Sequence, residues 1–524
     1  MDQLTRRAFL KVSAAAASSL VVSTGLNGCF SGSGDSNTTT KTSASVHFLH
    51  GVASGDPLSD KVIIWTRATP VTAPASDQKI SIDYEVAADA GFTDIVHNGS
   101  AMTDQSRDFT VQIDLHNLQP ATRYYYRFRS GDTLSATGIA KTLPVEKPRQ
   151  VKFALFTCAN YPNGYFNAYD AASKIDDFDA LIHVGDYIYE YGMYENDDFN
   201  AKVPAYATQN AEAIGRVLPA DNNTELLKLE DYRKRHALYK TDPGLQAIHK
   251  HAPMIAVWDD HEFANDAWKE GAENHQSDEG AFSTRVEHAL QAYFEWMPIR
   301  PVTDKKAIYR SFNFGNLVNL HMLETRILAR SKQLDYSDYF SANGFDTGSF
   351  MTDLISTDRA MMGSTQLGWL QQTLSSSTGT WQVLGQQVIM GRMTIPAELL
   401  TLISQLDHPE AFGKTKEQLM GEIKTSIAEL TSLKMRALQN DTTLTQQELA
   451  RINTVLPYNL DAWDGYFAER EMVLGTAKAL QKNLVVLSGD SHNSWANNLT
   501  DANGDQVGVE FATTSVTSPG LEAY

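Results

Sequence analysis

The segment Asn483–Trp495 reads NLVVLSGDSHNSW. Its first half is a short, unbroken apolar run, as expected of a strand covered on both faces. Its second half sets Asp490, Ser491, His492 and Asn493 in a row where the chain must turn. Three readings compete there: a nucleophilic serine with its partners, a pair of metal ligands, and an ordinary turn closed by Asx-type hydrogen bonds. On an extended segment neighbouring side chains point to alternate sides, so Asp490 and His492 share one face and Ser491 the other. That pairing favours ligands over a catalytic triad.

The same design recurs along the chain. KFALFTC, ALIHVGD, MIAVWDDH, LVNLHMLETR and WQVLGQQVIM each run apolar and then end in polar or ionisable residues. Strands of this kind alternating with helical segments predict an α/β core, and the carboxyl ends of such strands are where open α/β sheets bind ligands. The residues so placed are Cys158, Asp186 with Tyr189, Asp260 with His261 and Asn265, Arg326, Gln386, and Asp490 with His492. Singly, each has an ordinary structural explanation: a strand-end Asp caps a helix, and a buried Cys is a small hydrophobe. Jointly they supply carboxylate, imidazole, phenolate, thiolate and amide oxygen, a donor set that reads as a multinuclear metal site. Thiolate and phenolate suit a transition metal; Asp and Asn oxygens suit Ca²⁺, Mg²⁺ or Mn²⁺. Residues from about 414 to 457, rich in Leu, Lys, Glu and Gln, predict a helical insertion packed over the rim.

Upstream, residues 46–148 carry short strands such as KVIIWTR, KISIDYEVA and RYYYRFRSG between Asp-Pro, Asn-Gly and Gly-Asp turns. They predict an antiparallel β-sandwich, and LQPATRYYYRF has the look of a tyrosine-corner strand. The α/β unit then runs from 149 to 524. TRRAFLK (Thr5–Lys11), with the small and apolar run behind it, resembles a twin-arginine export signal, so residues 1–28 are set apart from the fold. LNGC resembles a lipobox that would leave Cys29 lipidated, with cleavage elsewhere as the alternative; residues 29–45 form a polar tether either way. The net charge of −19 argues against a surface made to embrace nucleic acid or an anionic membrane, and leaves a lipid on Cys29 as the route to a membrane. An anionic substrate then needs local cations, which bound metals would supply.

FTCANY, HVGDYIYEYG, VWDDHEFANDAW, ETR, GSTQLGWL, VLGQQVIM, YNLDAWDGYFAER, LSGDSHNSW and TTSVTSPG occur in the order found in PhoD-type alkaline phosphatases, which this sequence resembles over nearly its whole length. The resemblance implies a calcineurin-like metallophosphoesterase sandwich behind an immunoglobulin- or fibronectin III-like β-sandwich. It also implies Fe³⁺ and Ca²⁺, with hydrolysis of small phosphomonoesters and phosphodiesters at alkaline pH. Carried over by motif, Cys158, Asp186 and Tyr189 correspond to iron ligands completed by Asp490 and His492, while Asp186 also faces calcium with Asn265 and Asp260. His261 or Arg326 would steady leaving or equatorial phosphate oxygens. Two departures stand out: Glu324 precedes Arg326 where the family motif reads Asp-Thr-Arg, and the sequence stops at SPGLEAY where relatives continue. The alternatives are a phospholipase D-like phosphodiesterase of the same family and a non-catalytic, metal-stiffened surface binding protein.

Because the Tat machinery reads the arginine pair, replacing Arg6 and Arg7 together by Lys is expected to trap precursor in the cytoplasm, and Cys29→Ser to release the exported protein from membranes. Cell fractionation with immunoblotting checks both.

Overall fold

The computed structural model describes residues 45–520 except 73–74, 76–77, 195–207, 209, 342–343 and 407–408, so the export signal, Cys29 and the tether up to residue 44 lie outside the described residues. The strand Val62–Arg67, VIIWTR, shows how the parts join. Val62 and Ile64 pack into an apolar cluster with Ile80, Ile82, Tyr126 and Phe128. Trp65 points the other way, into a cluster with Ile182, Ile255 and Trp258, and its indole donates to the Glu295 carbonyl at 2.7 Å. Burial on both faces is what an unbroken apolar run encodes.

The strand therefore serves two layers at once. It lies in a six-stranded sheet ordered Phe153–Phe156, Ala180–His183, Met254–Ala256, Val52–Gly55, Val62–Arg67, Thr110–Leu115. The first three strands are mutually parallel, and the last three are antiparallel. The N-terminal sandwich is present, and one of its two sheets is the extension of the α/β sheet. Its other sheet holds Gly138–Lys141, Arg123–Ser130, Ile80–Ala87 and Ile95–Thr103, with Thr133–Leu134 beside the second of these. Tyr124 closes the expected tyrosine corner, its hydroxyl accepting from the Gln119 N–H at 2.8 Å.

A second six-stranded sheet follows the order Arg310–Phe314, Val318–Met322, Trp381–Gly385, Leu484–Ser488, Gln506–Ala512, Trp495–Thr500, parallel through its middle and antiparallel at both edges. Phe312, Phe314, Leu320 and Met322 meet Leu181, Ile182 and Trp258 in one core, so the two sheets pack face to face. Leu229–Tyr239, Pro243–His249 and Phe282–Trp296 contribute to that core from the first sheet's side. Gly363–Ser376 and Phe467–Ala479 cover the second sheet through Leu370, Leu374, Val473 and Leu474. Helices over sheets over helices is the layering that buries every apolar face. The expected insertion forms the helices Lys416–Leu438 and Gln446–Asn453, with Ala397–Ser404 before them, on a base of paired strands Thr394–Pro396 and Val455–Pro457.

The junction inside the shared sheet is narrow. Met254 pairs with Gly55 alone, and a Cβ at Gly55 would strike the Pro298 and Met254 carbonyls. Asp56, fully buried with φ 44°, reinforces it. Its carboxylate accepts from the Arg300 N–H at 2.8 Å and from the Arg310 guanidinium at 2.6 Å, and Arg310 also donates to the Ala256 carbonyl. Removing one partner of a buried ion pair strands the other, so Asp56→Ala is expected to cost about 3 kcal/mol of folding free energy. Urea denaturation checks this, with a single transition shared by sandwich and α/β unit.

Candidate metal centre at the strand ends

Four of the seven ligand candidates sit just past the carboxyl end of a strand, in a turn the backbone makes with difficulty. Cys158, Asp186, Asp490 and His492 have φ of 57°, 55°, 61° and 60°. Left-handed conformation in non-glycine residues costs on the order of 1 kcal/mol each and persists where surrounding structure over-determines it. Gly185 has φ 109°, and a Cβ there would enter the Asp259 side chain. The loops are tied to each other: Cys158 N–H donates to the Gly185 carbonyl at 3.2 Å, and Ala159 N–H to the Asp186 carbonyl at 2.9 Å.

These turns bring two ligand groups together. Cys158, Asp186 and His492 have donor atoms within 4.8 Å of one another, as do Asp186, Asp260 and His261, and Asp186 belongs to both. The Cys158 thiol donates to Asp186 Oδ2 at 3.2 Å. The Tyr189 hydroxyl lies 3.3 Å from that same oxygen and 3.3 Å from His492 Nε2. Asp186 Oδ1 is buried with no hydrogen-bond partner among the described residues. Asp490 sits close enough for its charge to push up both the Cys158 thiol and the Asp186 carboxyl.

A second shell, which the sequence reading missed, holds the donors. Glu262 accepts three backbone N–H bonds, from Asp186 at 3.0 Å, Tyr187 at 2.7 Å and Asp259 at 2.8 Å, and so clamps two strand-end loops together. Glu190 takes His261 Nδ1 with one oxygen, leaving Nε2 for the site. Its other oxygen accepts from the Asn265 N–H at 2.6 Å and from Asn274 at 2.7 Å. His492 Nδ1 meets the Pro519 carbonyl at 2.7 Å, which fixes the tautomer that offers Nε2. The Ser518 hydroxyl lies 2.6 Å from the Tyr189 oxygen and 3.2 Å from the Cys158 carbonyl, so the TTSVTSPG tail walls the site. The signal available in the sequence was proximity alone: Glu190 lies in HVGDYIYEYG and Glu262 in VWDDHEF.

Electrostatics follow from this crowding. Burial pushes the Asp186 carboxyl up to about 7 against the pull of the His261 charge, and Asp260 and Asp490 push the same way. Burial raises the Cys158 thiol well above its usual range, and the Asp186 and Asp490 carboxylates add to it. For His261 burial works toward the neutral ring, but Glu190, Asp186 and Asp260 together hold it protonated far above the ordinary value. A buried concentration of acids with an unsatisfied carboxylate oxygen is a poor apolar core and a good cation cage. The residues present fit a two-cation centre.

The other predicted residues make protein contacts of their own. Arg326 is fully buried; its guanidinium forks onto Asp461 at 2.7 and 2.9 Å, bonds Asp259, and lies 3.5 Å from Asp260. Asn265 donates its amide N–H to Glu273 at 3.1 Å, which turns Oδ1 the other way. Gln386 bonds the Trp463 indole and the Val388 carbonyl, away from the acids. Glu324, in place of the family's Asp, accepts the Trp258 indole N–H at 2.9 Å and the N–H groups of Arg326, Ile327 and Leu328, so the longer side chain still organises the loop. Ser491 accepts from the Trp495 indole at 3.1 Å. Alternation along a strand is not the cause: the strand ends at Ser488, and two left-handed residues flank Ser491.

Residues 153–524 match the family described as PhoD-like phosphatase, and residues 34–144 match that described as the PhoD-like phosphatase N-terminal domain. The chain belongs to the PhoD-like phosphatase family. It is 33% identical over 491 residues to alkaline phosphatase D of Bacillus subtilis (strain 168), covering 91% of this chain and 70% of that protein. A solved structure titled "Structure of PhoD" superposes with a TM-score of 0.67 at 32% identity, covering 92% of this chain and 79% of the other. A PhoD-like phosphatase is a phosphoester hydrolase, so the binding-protein alternative is set aside.

In this PhoD-like site Glu262 touches no donor atom directly, yet two ligand-bearing loops hang from it. Glu262→Gln turns an amide N–H₂ toward backbone N–H donors, and is expected to lower metal affinity about 10- to 100-fold. Metal content after dialysis against graded chelator measures it.

Proposed function

We propose that the protein is an exported alkaline phosphatase with phosphodiesterase activity that works with Fe³⁺ and Ca²⁺. The observation that carries the reading is the pair of ligand groups sharing Asp186, one with a thiol and a neighbouring phenol, the other built from oxygens and an imidazole. Cys158, Asp186, Tyr189, Asp490 and His492 would hold the iron, since thiolate and phenolate favour a transition metal. Asp186, Asp260 and Asn265 Oδ1 would hold the calcium, whose preference is for oxygen. Bound there, the cations supply neutralisation of phosphate oxygens and a lowered pKa for water.

The chain's own groups do the rest. His261, whose Nδ1 is taken by Glu190 and whose ring stacks on Tyr189 at 4.2 Å, would present Nε2 to a phosphate or departing oxygen. Arg326 acts at one remove: spent on Asp259 and Asp461, it positions the 259–265 loop and offsets its charge instead of gripping substrate. The Ser491 hydroxyl attacks nothing. The twin-arginine signal sets the location as periplasm, surface or medium.

Thiolate and phenolate on Fe³⁺ give charge-transfer absorption that Ca²⁺, Mg²⁺ or Zn²⁺ does not. The purified protein should be coloured and contain both elements. Tyr189→Phe should move or remove the visible band with the fold intact, and Asp186→Ala should empty both positions because it is the shared ligand. Ser491→Ala should retain most activity. A colourless enzyme of normal activity, or an inactive Ser491→Ala with its metals in place, would refute the assignment; elemental analysis, visible spectra and assays on one monoester and one diester decide.

A further inference from the structure

A cavity of about 390 Å³ opens beside the metal centre, between the 266–276 loop and the helix Ala397–Ser404. Two candidate calcium ligands back onto it. Asp260 accepts from the N–H of Asp266, and Asn265 donates to Glu273; Asp266 and Glu273 both line the cavity. Asp266 and Glu273 are thus direct neighbours of Asp260 and Asn265, so the cavity shares a wall with the strand ends where a phosphate would be held. We propose that the cavity receives an apolar alkyl or aryl substituent of the phosphoester, and that the helix Ala397–Ser404, which precedes the insertion, sets substrate preference by forming one wall. The inference rests on the phosphoesterase reading above.

The lining supports an apolar occupant. Leu334, Tyr336, Leu400, Ile403 and Leu460 supply hydrocarbon surface, and Trp268 closes the loop side. The polar groups around them are largely committed to one another. Asp461 is held by Arg326 and by Arg330 at 2.6 Å. Gln333 bridges Asp461 at 2.7 Å and the Asp266 carbonyl at 3.0 Å. Asp335 accepts from the Ser337 N–H, Glu273 from Asn265, and the Tyr336 hydroxyl donates to the Pro457 carbonyl at 2.6 Å. The volume falls within the range of pockets for small organic ligands, and a water takes up only about 30 Å³ of liquid. A second anionic group would meet Asp266, Glu273, Asp335 and Asp461 in the lining against the single cation Lys332, so charge disfavours an anionic substituent there.

The test compares 4-nitrophenyl ethyl phosphate with 4-nitrophenyl hexyl and octyl phosphates, which share one chromophore and differ in chain length. With the metal-loaded enzyme, kcat/KM is expected to rise about two- to fourfold per methylene until the cavity is filled. Ser404, half-buried on the lining, is the place to fill it: Ser404→Tyr should shrink the hexyl-to-ethyl ratio at least tenfold, and Leu400→Asn should shrink it by a second route. A wild-type series with no chain-length dependence overturns the inference while leaving the hydrolase reading standing, as does a ratio unchanged in both folded variants. Absence of turnover on all three esters overturns the phosphodiesterase reading and this inference with it.

Discussion

Asp186 is 1% exposed and shares its surroundings with Asp259, Asp260, Asp490 and the Cys158 thiol. Burying one carboxylate without compensation costs several kcal/mol, and burying several side by side adds their repulsion. Much of the local architecture answers that constraint. Gly185 is a glycine because its neighbour Asp259 leaves no room for a Cβ. Arg326 lies fully buried and Arg330 beside it, both engaging Asp461. Glu262 directs its charge onto backbone N–H donors, which fixes the loops without adding a cation. What these arrangements leave is an acidic pocket with an unbonded oxygen on Asp186, a donor set suited to a cation.

The donors come from both sheets. Cys158, Asp186 and Asp260 follow strands of the first; Asp490 and His492 follow a strand of the second. A cation held by Cys158, Asp186 and His492 would thus add a cross-link between sheets that already meet through side-chain packing, the Arg310–Asp56 ion pair and the Arg326–Asp259 bond. Binding confined to the folded state stabilises it by about 4 kcal/mol at a free ligand concentration 1,000 times Kd. Metal binding at such a site would therefore be linked to sheet docking.

The class of the fold and most donors were legible because strands buried on both faces leave an unmistakable pattern: an apolar run and then polar residues. Asp186, Asp260, His261 and His492 were found by that rule, and the structure brings them together. The sharing of a sheet between sandwich and α/β unit was written in the same code, since VIIWTR is an unbroken run and not an alternating one. It was harder to read because its neighbours do alternate. Glu190 and Glu262 were invisible for a different reason. Their roles depend on which backbone N–H groups a fold places within 3 Å, and spacing along the chain carries no such information. Arg326 shows the converse limit: position at a strand end identified it as important, but only the Asp461 fork, contributed 135 residues later, shows that it holds loops.

Ser491 draws these threads together. A serine between Asp and His looks like a nucleophile when the chain is read as a line. The strand stops three residues earlier, however, and Asp490 and His492 both turn left-handed. Two such residues around one serine hold it to the Trp495 indole while His492 swings to Tyr189 and Pro519. Relaxing that backbone would not yield a triad, because the His492 Nδ1 that a triad carboxylate would orient is already taken by a carbonyl from the tail. The strain in the turn thus selects between two chemistries that the same four letters allow: it disfavours the nucleophile and leaves His492 Nε2 facing Tyr189, beside Cys158 and Asp186.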